Sequence, residues 1–153
     1  MKISDMLDED HILVDLKARD KKTVLEELAG VITSHDPSLE KGSLVKVLME
    51  REKLGSTGIG DGVAIPHGKF PGVEQPIISF GRSRKGLDFD SMDGTPAFLF
   101  FLLVAPENSA SVHLKALARI AKILKNSSFR KTLIEASTKE EIYRIIVQND
   151  EEF

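Results

Sequence analysis

Between Pro96 and Pro106 lie nine residues without a polar side chain, Ala97-Phe-Leu-Phe-Phe-Leu-Leu-Val-Ala105. A strand that is apolar on both faces must be covered on both faces. The run is also too short to cross a bilayer as a helix. It therefore predicts a central strand between two layers of helices, and the rest of the chain supplies the pieces.

Ile12, Val14 and Leu16 alternate with Leu13, Asp15 and Lys17, which predicts a short strand. Asp20 is placed to cap a helix with Val24, Leu25, Leu28, Val31 and Ile32 on one face. After the break at His35-Asp-Pro-Ser38, a second helix runs from Glu40 to Lys53, with Leu44, Val47, Leu48 and Arg51 on adjacent turns and Gly55 closing it. Val63-Ala64-Ile65 reads as a buried strand. A further strand runs from Gln75 to Arg82, followed by a basic turn, Arg82-Ser-Arg-Lys-Gly86. Beyond Ser109-Ala-Ser111 a helix extends through Lys125 with a stripe of Leu114, Leu117, Ala118, Ala121 and Leu124. Ser128 caps a short helix carrying Phe129, Leu133 and Ile134, and Thr138-Lys-Glu-Glu141 is a capping box before Ile142, Ile145 and Ile146. About four strands and five helices interleave. The expectation is an α/β fold: a single layered domain over residues 1–153, with a mixed β-sheet flanked by helices on both sides.

The net charge of −3 argues against a nucleic-acid binder, which is usually basic. With no cysteine in the chain, disulfides, thiolate metal sites and thiol catalysis are excluded, and a reducing compartment is suited. The opening Met1-Lys-Ile-Ser-Asp-Met-Leu has no apolar leader core. A cytoplasmic protein without membrane insertion is expected.

The chemistry concentrates between Gly55 and Lys69, in Gly-Ser-Thr-Gly-Ile-Gly-Asp-Gly-Val-Ala-Ile-Pro-His-Gly-Lys. Glycines let backbone N–H groups converge, and such concavities suit anions. His67, between Pro66 and Gly68, is the side chain here whose ordinary pKa lies near neutrality. An imidazole beside a potential phosphate cradle, formed by Ser56, Thr57, Gly58, Gly60, Gly62 and Gly68, suggests a histidine that accepts a phosphoryl group. His113 opens the long helix, where a neutral imidazole suits an anion; a polar residue of the first turn is the other reading. Arg51 either serves its own helix C-terminus or clamps phosphate oxygens. His11, at a strand entry, and His35, in a polar turn, read as surface residues.

Other patterns fail. The loop has no Walker lysine, and Val63 occupies the last position of a G-x-G-x-x-G pattern. Met92 stands where a calcium loop wants an acid. Neither a His-Glu-x-x-His metal motif nor a Gly-x-Ser-x-Gly elbow is present.

Arg51-Glu52 followed by Gly55 to Lys69 resembles the active-site segment of the fructose/mannitol-type enzyme IIA domains of the bacterial phosphotransferase system. The resemblance extends through Leu87-Asp-Phe-Asp-Ser-Met-Asp-Gly94, Phe98 to Glu107 and His113-Leu-Lys-Ala-Leu-Ala118, covering essentially the whole chain in order. It implies that His67 is the phosphorylated histidine, reacting at Nε2 with a phosphoryl group from an HPr-like or NPr-like phosphocarrier. His113 would hydrogen-bond the phosphoryl group or orient the ring, and Arg51 would compensate its charge. No metal or cofactor is implied, because the donor is already a phosphohistidine. The single domain and its opening residues look more like the nitrogen-regulatory branch, which switches partner proteins by phosphorylation state. The alternatives are a sugar-specific IIA that passes phosphate to an EIIB-like acceptor and a regulatory module that binds an anion or partner without covalent change.

Overall fold

The computed structural model describes residues 1–151. Its strands are β1 (Leu7–Leu13), β2 (Gly58–Gly60), β3 (Val63–Ala64), β4 (His67–Phe70), β5 (Ile77–Leu87) and β6 (Ala97–Pro106). Its helices are α1 (Lys21–His35), α2 (Lys41–Lys53), α3 (Ala110–Leu124), α4 (Ser127–Glu135) and α5 (Lys139–Glu151). One mixed sheet runs β1-β5-β6-β3-β2, and β4 pairs with β6 farther along the same edge as β3. β6 is antiparallel to β5 and parallel to β3 and β4, and β1 is parallel to β5 and so runs opposite to β6.

The apolar run is the central strand. Leu99, Phe101 and Leu103 point into a core formed with α3, α4 and α5, while Phe100, Leu102 and Val104 point into a core formed with α1 and α2. Burying a Leu or Phe side chain contributes about 1.5–3 kcal/mol, so this strand anchors both layers. The cap at Asp20 forms as read, accepting from Thr23 N at 2.9 Å; of the capping box at Thr138, Oγ1 accepts from Glu141 N at 3.1 Å while the Glu141 carboxylate accepts from Ser137 N at 3.3 Å instead of from Thr138 N.

Several local expectations are corrected. β1 spans Leu7–Leu13 rather than the alternation around Val14 and Leu16, and β2 and β4 were not anticipated. Each of the latter is short and glycine-containing, so periodicity could not reveal it. The basic stretch from Arg82 is not a turn: β5 continues to Leu87 with a register irregularity after Arg82. Arg82 is buried because its guanidinium donates to the carbonyls of Val14 (3.1 Å), Leu133 (3.0 Å), Ile134 (3.2 Å) and Ala136, closing the end of α4. α4 is capped by Asn126, whose side chain accepts from Phe129 N at 3.1 Å, rather than by Ser128. On α3 the buried residues are Ala116, Ile120, Ile123 and Leu124, while Leu114 and Ala118 are exposed. Two apolar stripes share that helix, and the sheet covers only one.

Candidate functional site

The glycine stretch folds back on itself. β2 and β3 form a hairpin whose two central residues, Asp61 (φ 56°) and Gly62 (φ 78°), both have positive φ, as a type I′ turn requires. Beyond it, Val63 pairs with Leu99 and His67 with Leu103 in one unbroken register, so residues 63–70 follow a single edge of β6. The residue pairing skips only Ile65-Pro66: Pro66 has no N–H, although its carbonyl still accepts from Leu103 N at 2.9 Å, and Ile65 N donates instead to Thr57 O at 3.0 Å. That skip puts His67 at the head of β4, its ring folded back over the gap.

His67 Nδ1 lies 2.8 Å from Ile65 O. A carbonyl can only accept, so in the neutral ring Nδ1 carries the proton and Nε2 keeps a bare lone pair. The ring meets His113, in the first turns of α3, edge to face at 5.3 Å between centroids. His113 Nε2 is buried and has no hydrogen-bond partner among the described residues. Gly68, with Val47 Cγ1 3.0 Å from where a Cβ would stand, lets α2 lie close against β4. This close approach brings Arg51 to the histidine pair.

These groups line one open cleft of about 670 Å³, with Arg51, Lys53 and Lys69 on its walls and Glu50 as its carboxylate. Leu54, 85% exposed, lies on the rim, and Leu114, 66% exposed, is next to His113 in sequence. Both imidazoles are held below their ordinary pKa. For His67 burial is the main cause; the Ile65 carbonyl opposes it, the Arg51 guanidinium adds to it and the Glu52 carboxylate opposes it. For His113 the causes are burial, then His67, then the Lys69 ammonium. At neutral pH both rings are uncharged: one offers a lone pair, and the other offers a free nitrogen beside it.

The geometry divides the residues singled out from the sequence. His67, His113, Arg51 and Gly68 meet at the cleft. Ser56, Thr57, Gly58, Gly60 and Gly62 are not among its lining residues, because the hairpin spends its polar groups on the protein. Ser56 Oγ donates to Phe89 O at 2.6 Å, Thr57 N to Glu52 Oε1 at 3.1 Å and Gly58 N to Ser56 Oγ at 3.0 Å. Gly60 packs on the Asp93 carboxylate, and Gly62 O accepts from Phe98 N and Leu99 N. Arg51 lines the cleft and donates to Gly55 O at 2.8 Å, just beyond the end of α2. Sequence reasoning missed Lys69, the Ile65 carbonyl and the buried Glu52. Glu52 was legible in one respect, since Leu44, Leu48 and Glu52 follow the four-residue spacing of one helix face.

Residues 5–149 match the family described as phosphoenolpyruvate-dependent sugar phosphotransferase system, EIIA 2. The chain belongs to this family. Among its relatives, a nitrogen regulatory protein of Bradyrhizobium diazoefficiens is 43% identical over 95% of each chain. A fructose-specific EIIABC component of Bacillus subtilis is 37% identical over 98% of this chain, which spans only 24% of that protein. The crystal structure of nitrogen regulatory protein IIA-Ntr from Neisseria meningitidis matches with a TM-score of 0.88 at 39% identity, covering 94% of this chain and 98% of that one. The IIA mannitol structure from Escherichia coli, 20% identical with a TM-score of 0.75 over 91% of this chain and 97% of that one, shares the fold. The EIIA 2 architecture thus accounts for the two-sided sheet deduced from the run at Ala97–Ala105. Among the described residues, no helix is long and apolar enough to cross a membrane.

Proposed function

We propose that this EIIA 2 chain is a phosphohistidine carrier with a regulatory role, and that His67 is the acceptor of a phosphoryl group from an HPr-like phosphocarrier. The observation that carries the reading is the bond from His67 Nδ1 to Ile65 O, which leaves Nε2 unprotonated in a cleft walled by Arg51 and His113. In the transfer, the Nε2 lone pair forms a bond to phosphorus as the phosphorus–nitrogen bond to the donor imidazole breaks. The donor nitrogen keeps the electron pair. One phosphohistidine is exchanged for another, so neither an oxidant nor an added nucleotide is required.

Little covalent work falls to the protein in such a step; positioning and charge stabilisation supply the rate. As Nε2 gives up its lone pair, the ring gains positive charge, and the Nδ1–H bond to the carbonyl strengthens. Arg51 faces the charge spreading over the phosphoryl oxygens. His113 supplies a hydrogen bond from its free nitrogen in the protonation state the phosphate selects. The hairpin's contribution in this account is to hold Ile65 and His67 in place, and Gly68 its close contact with α2; neither wraps the phosphate.

Similarity to the nitrogen regulatory proteins along nearly their whole length favours regulation of a partner protein by phosphorylation state over delivery to an EIIB-like acceptor. Incubation with phosphoenolpyruvate and the general phosphotransferase proteins, followed by intact mass measurement, should show a gain of one phosphoryl group that is lost in acid and kept in alkali. An unmodified chain under conditions that charge the donor would refute the carrier reading, leaving non-covalent anion binding as the competing account.

A further inference from the structure

Glu52 is a carboxylate in the wrong place for a surface helix. Its side chain is 2% exposed, and a buried charge is costly unless paired and hydrogen-bonded. Among the described residues, its partners are two. Thr57 donates to it from both N (3.1 Å) and Oγ1, and Lys21 Nζ, at the start of α1, lies 3.1 Å away. The same ammonium reaches Asp90 at 3.2 Å and lies 4.7 Å from the centroid of the Phe89 ring. Thr57 in turn holds the histidine's anchor: its carbonyl accepts from Ile65 N at 3.0 Å, and Ile65 O accepts from His67 Nδ1 at 2.8 Å.

We infer that Glu52, fixed by Thr57 and Lys21, is a positioning residue that sets the ring orientation and tautomer of His67 through the Thr57–Ile65 bridge. The link is one of placement. At Ile65-Pro66 β6 reaches only the Pro66 carbonyl, to which Leu103 N donates at 2.9 Å, and not Ile65, so the sheet alone does not fix the Ile65 carbonyl. The bridge to Thr57 supplies the missing restraint, and Glu52 gripping two donors of one residue keeps Thr57 from turning. Charge reinforces placement: other ionisable groups facing His67 are Arg51 from α2 and His113 from α3, with Lys69 on its own strand, and Glu52 is the anion that opposes Arg51. The inference rests on His67 being the reactive histidine, but its primary readout does not depend on phosphorylation.

The test uses the intact chain carrying ¹⁵N-labelled histidine. NMR of the ring nitrogens reports the tautomer of His67, and phosphoramidate, a small donor that needs no docking partner, reports its reactivity. Wild-type protein should show His67 as the Nδ1–H form. Glu52→Gln and Thr57→Val should each lower the Nδ1–H fraction and slow phosphorylation about tenfold, the scale of a misplaced reacting group. Thr57→Ser, which keeps the hydroxyl, should restore both and decides the matter alone if Glu52→Gln does not fold. Folded variants with lowered melting temperatures but an unchanged tautomer and rate would overturn the inference, reducing Glu52 to a structural residue. If phosphoramidate labels no variant and not the wild type, the carrier reading fails, while the tautomer measurement still decides the role of Glu52.

Discussion

The molecule contains two histidine pairs that are nearly alike as ring geometry. His67 and His113 meet edge to face at 5.3 Å; so do His11 and His35. In each pair one ring is pinned through Nδ1 to a backbone carbonyl at 2.8 Å, His67 to Ile65 and His35 to Val31. Each pair borders a depression, of about 670 Å³ and 710 Å³. The surroundings separate them. Three cations and one carboxylate line the first, whereas Asp5, Asp8, Asp36 and Glu74 line the second, with no lysine or arginine among its lining residues. On the proposed reading, a developing phosphoryl dianion would be stabilised in one and repelled in the other. In the proposed account a histidine dyad with a defined tautomer is therefore not sufficient, and the charge of the walls would select which pair can carry phosphate.

The largest expected effect breaks the comparison outright. His67→Ala should abolish acid-labile labelling by a phosphorylated HPr-type donor, while His11→Ala and His35→Ala should label like the wild type; radiolabel transfer or intact mass reads all three. Next come the walls: Arg51→Ala and His113→Ala should each cost about 2–4 kcal/mol of transition-state stabilisation, by analogy with oxyanion donors, measured as single-turnover rates. Equal rates in both variants would remove those two residues from the mechanism.

A smaller effect lies in pH. Transfer needs a neutral His67, and its pKa is lowered below 6.5, so the rate should hold its plateau into solutions where a free imidazole is already half protonated. The same shift affects stability. His11, His67 and His113 all bind a proton more readily unfolded than folded. Stability is therefore full above the ordinary imidazole range and falls as pH drops through the lowered folded values. Thermal melts between about pH 7 and pH 5 should show this slope, and replacing His67 or His11 by Asn should flatten it. The smallest effect is expected from Lys69→Gln, which should let the His113 titration, followed by NMR, move upward, since that ammonium helps hold it down.

How much of this was legible beforehand follows from the physics of each element. The central strand could be read because a run apolar on both faces has one good solution. His67, His113 and Arg51 stood out by residue type and neighbours. The glycine stretch misled in its detail: glycines permit both an anion cradle and a tight hairpin, and only the partners of Ser56, Thr57 and Gly62 show that this one is a hairpin. Arg82 read as the start of a basic turn because nothing local announces that the carbonyls of Leu133, Ile134 and Ala136 will converge on it from 51 to 54 residues away. The face of α3 was ambiguous for a similar reason: two apolar stripes compete, and tertiary packing chooses between them.

The central claim is that one nitrogen, His67 Nε2, accepts the phosphoryl group. Phosphorylating the intact chain with the general phosphotransferase proteins, digesting it in alkali-stable conditions and locating the modified residue by mass spectrometry, with NMR of the ring nitrogens to name the atom, tests it directly. The account predicts a single phosphoryl group on Nε2 of His67. Phosphate found first on His113, His11 or His35, or on Nδ1 of His67, would contradict it.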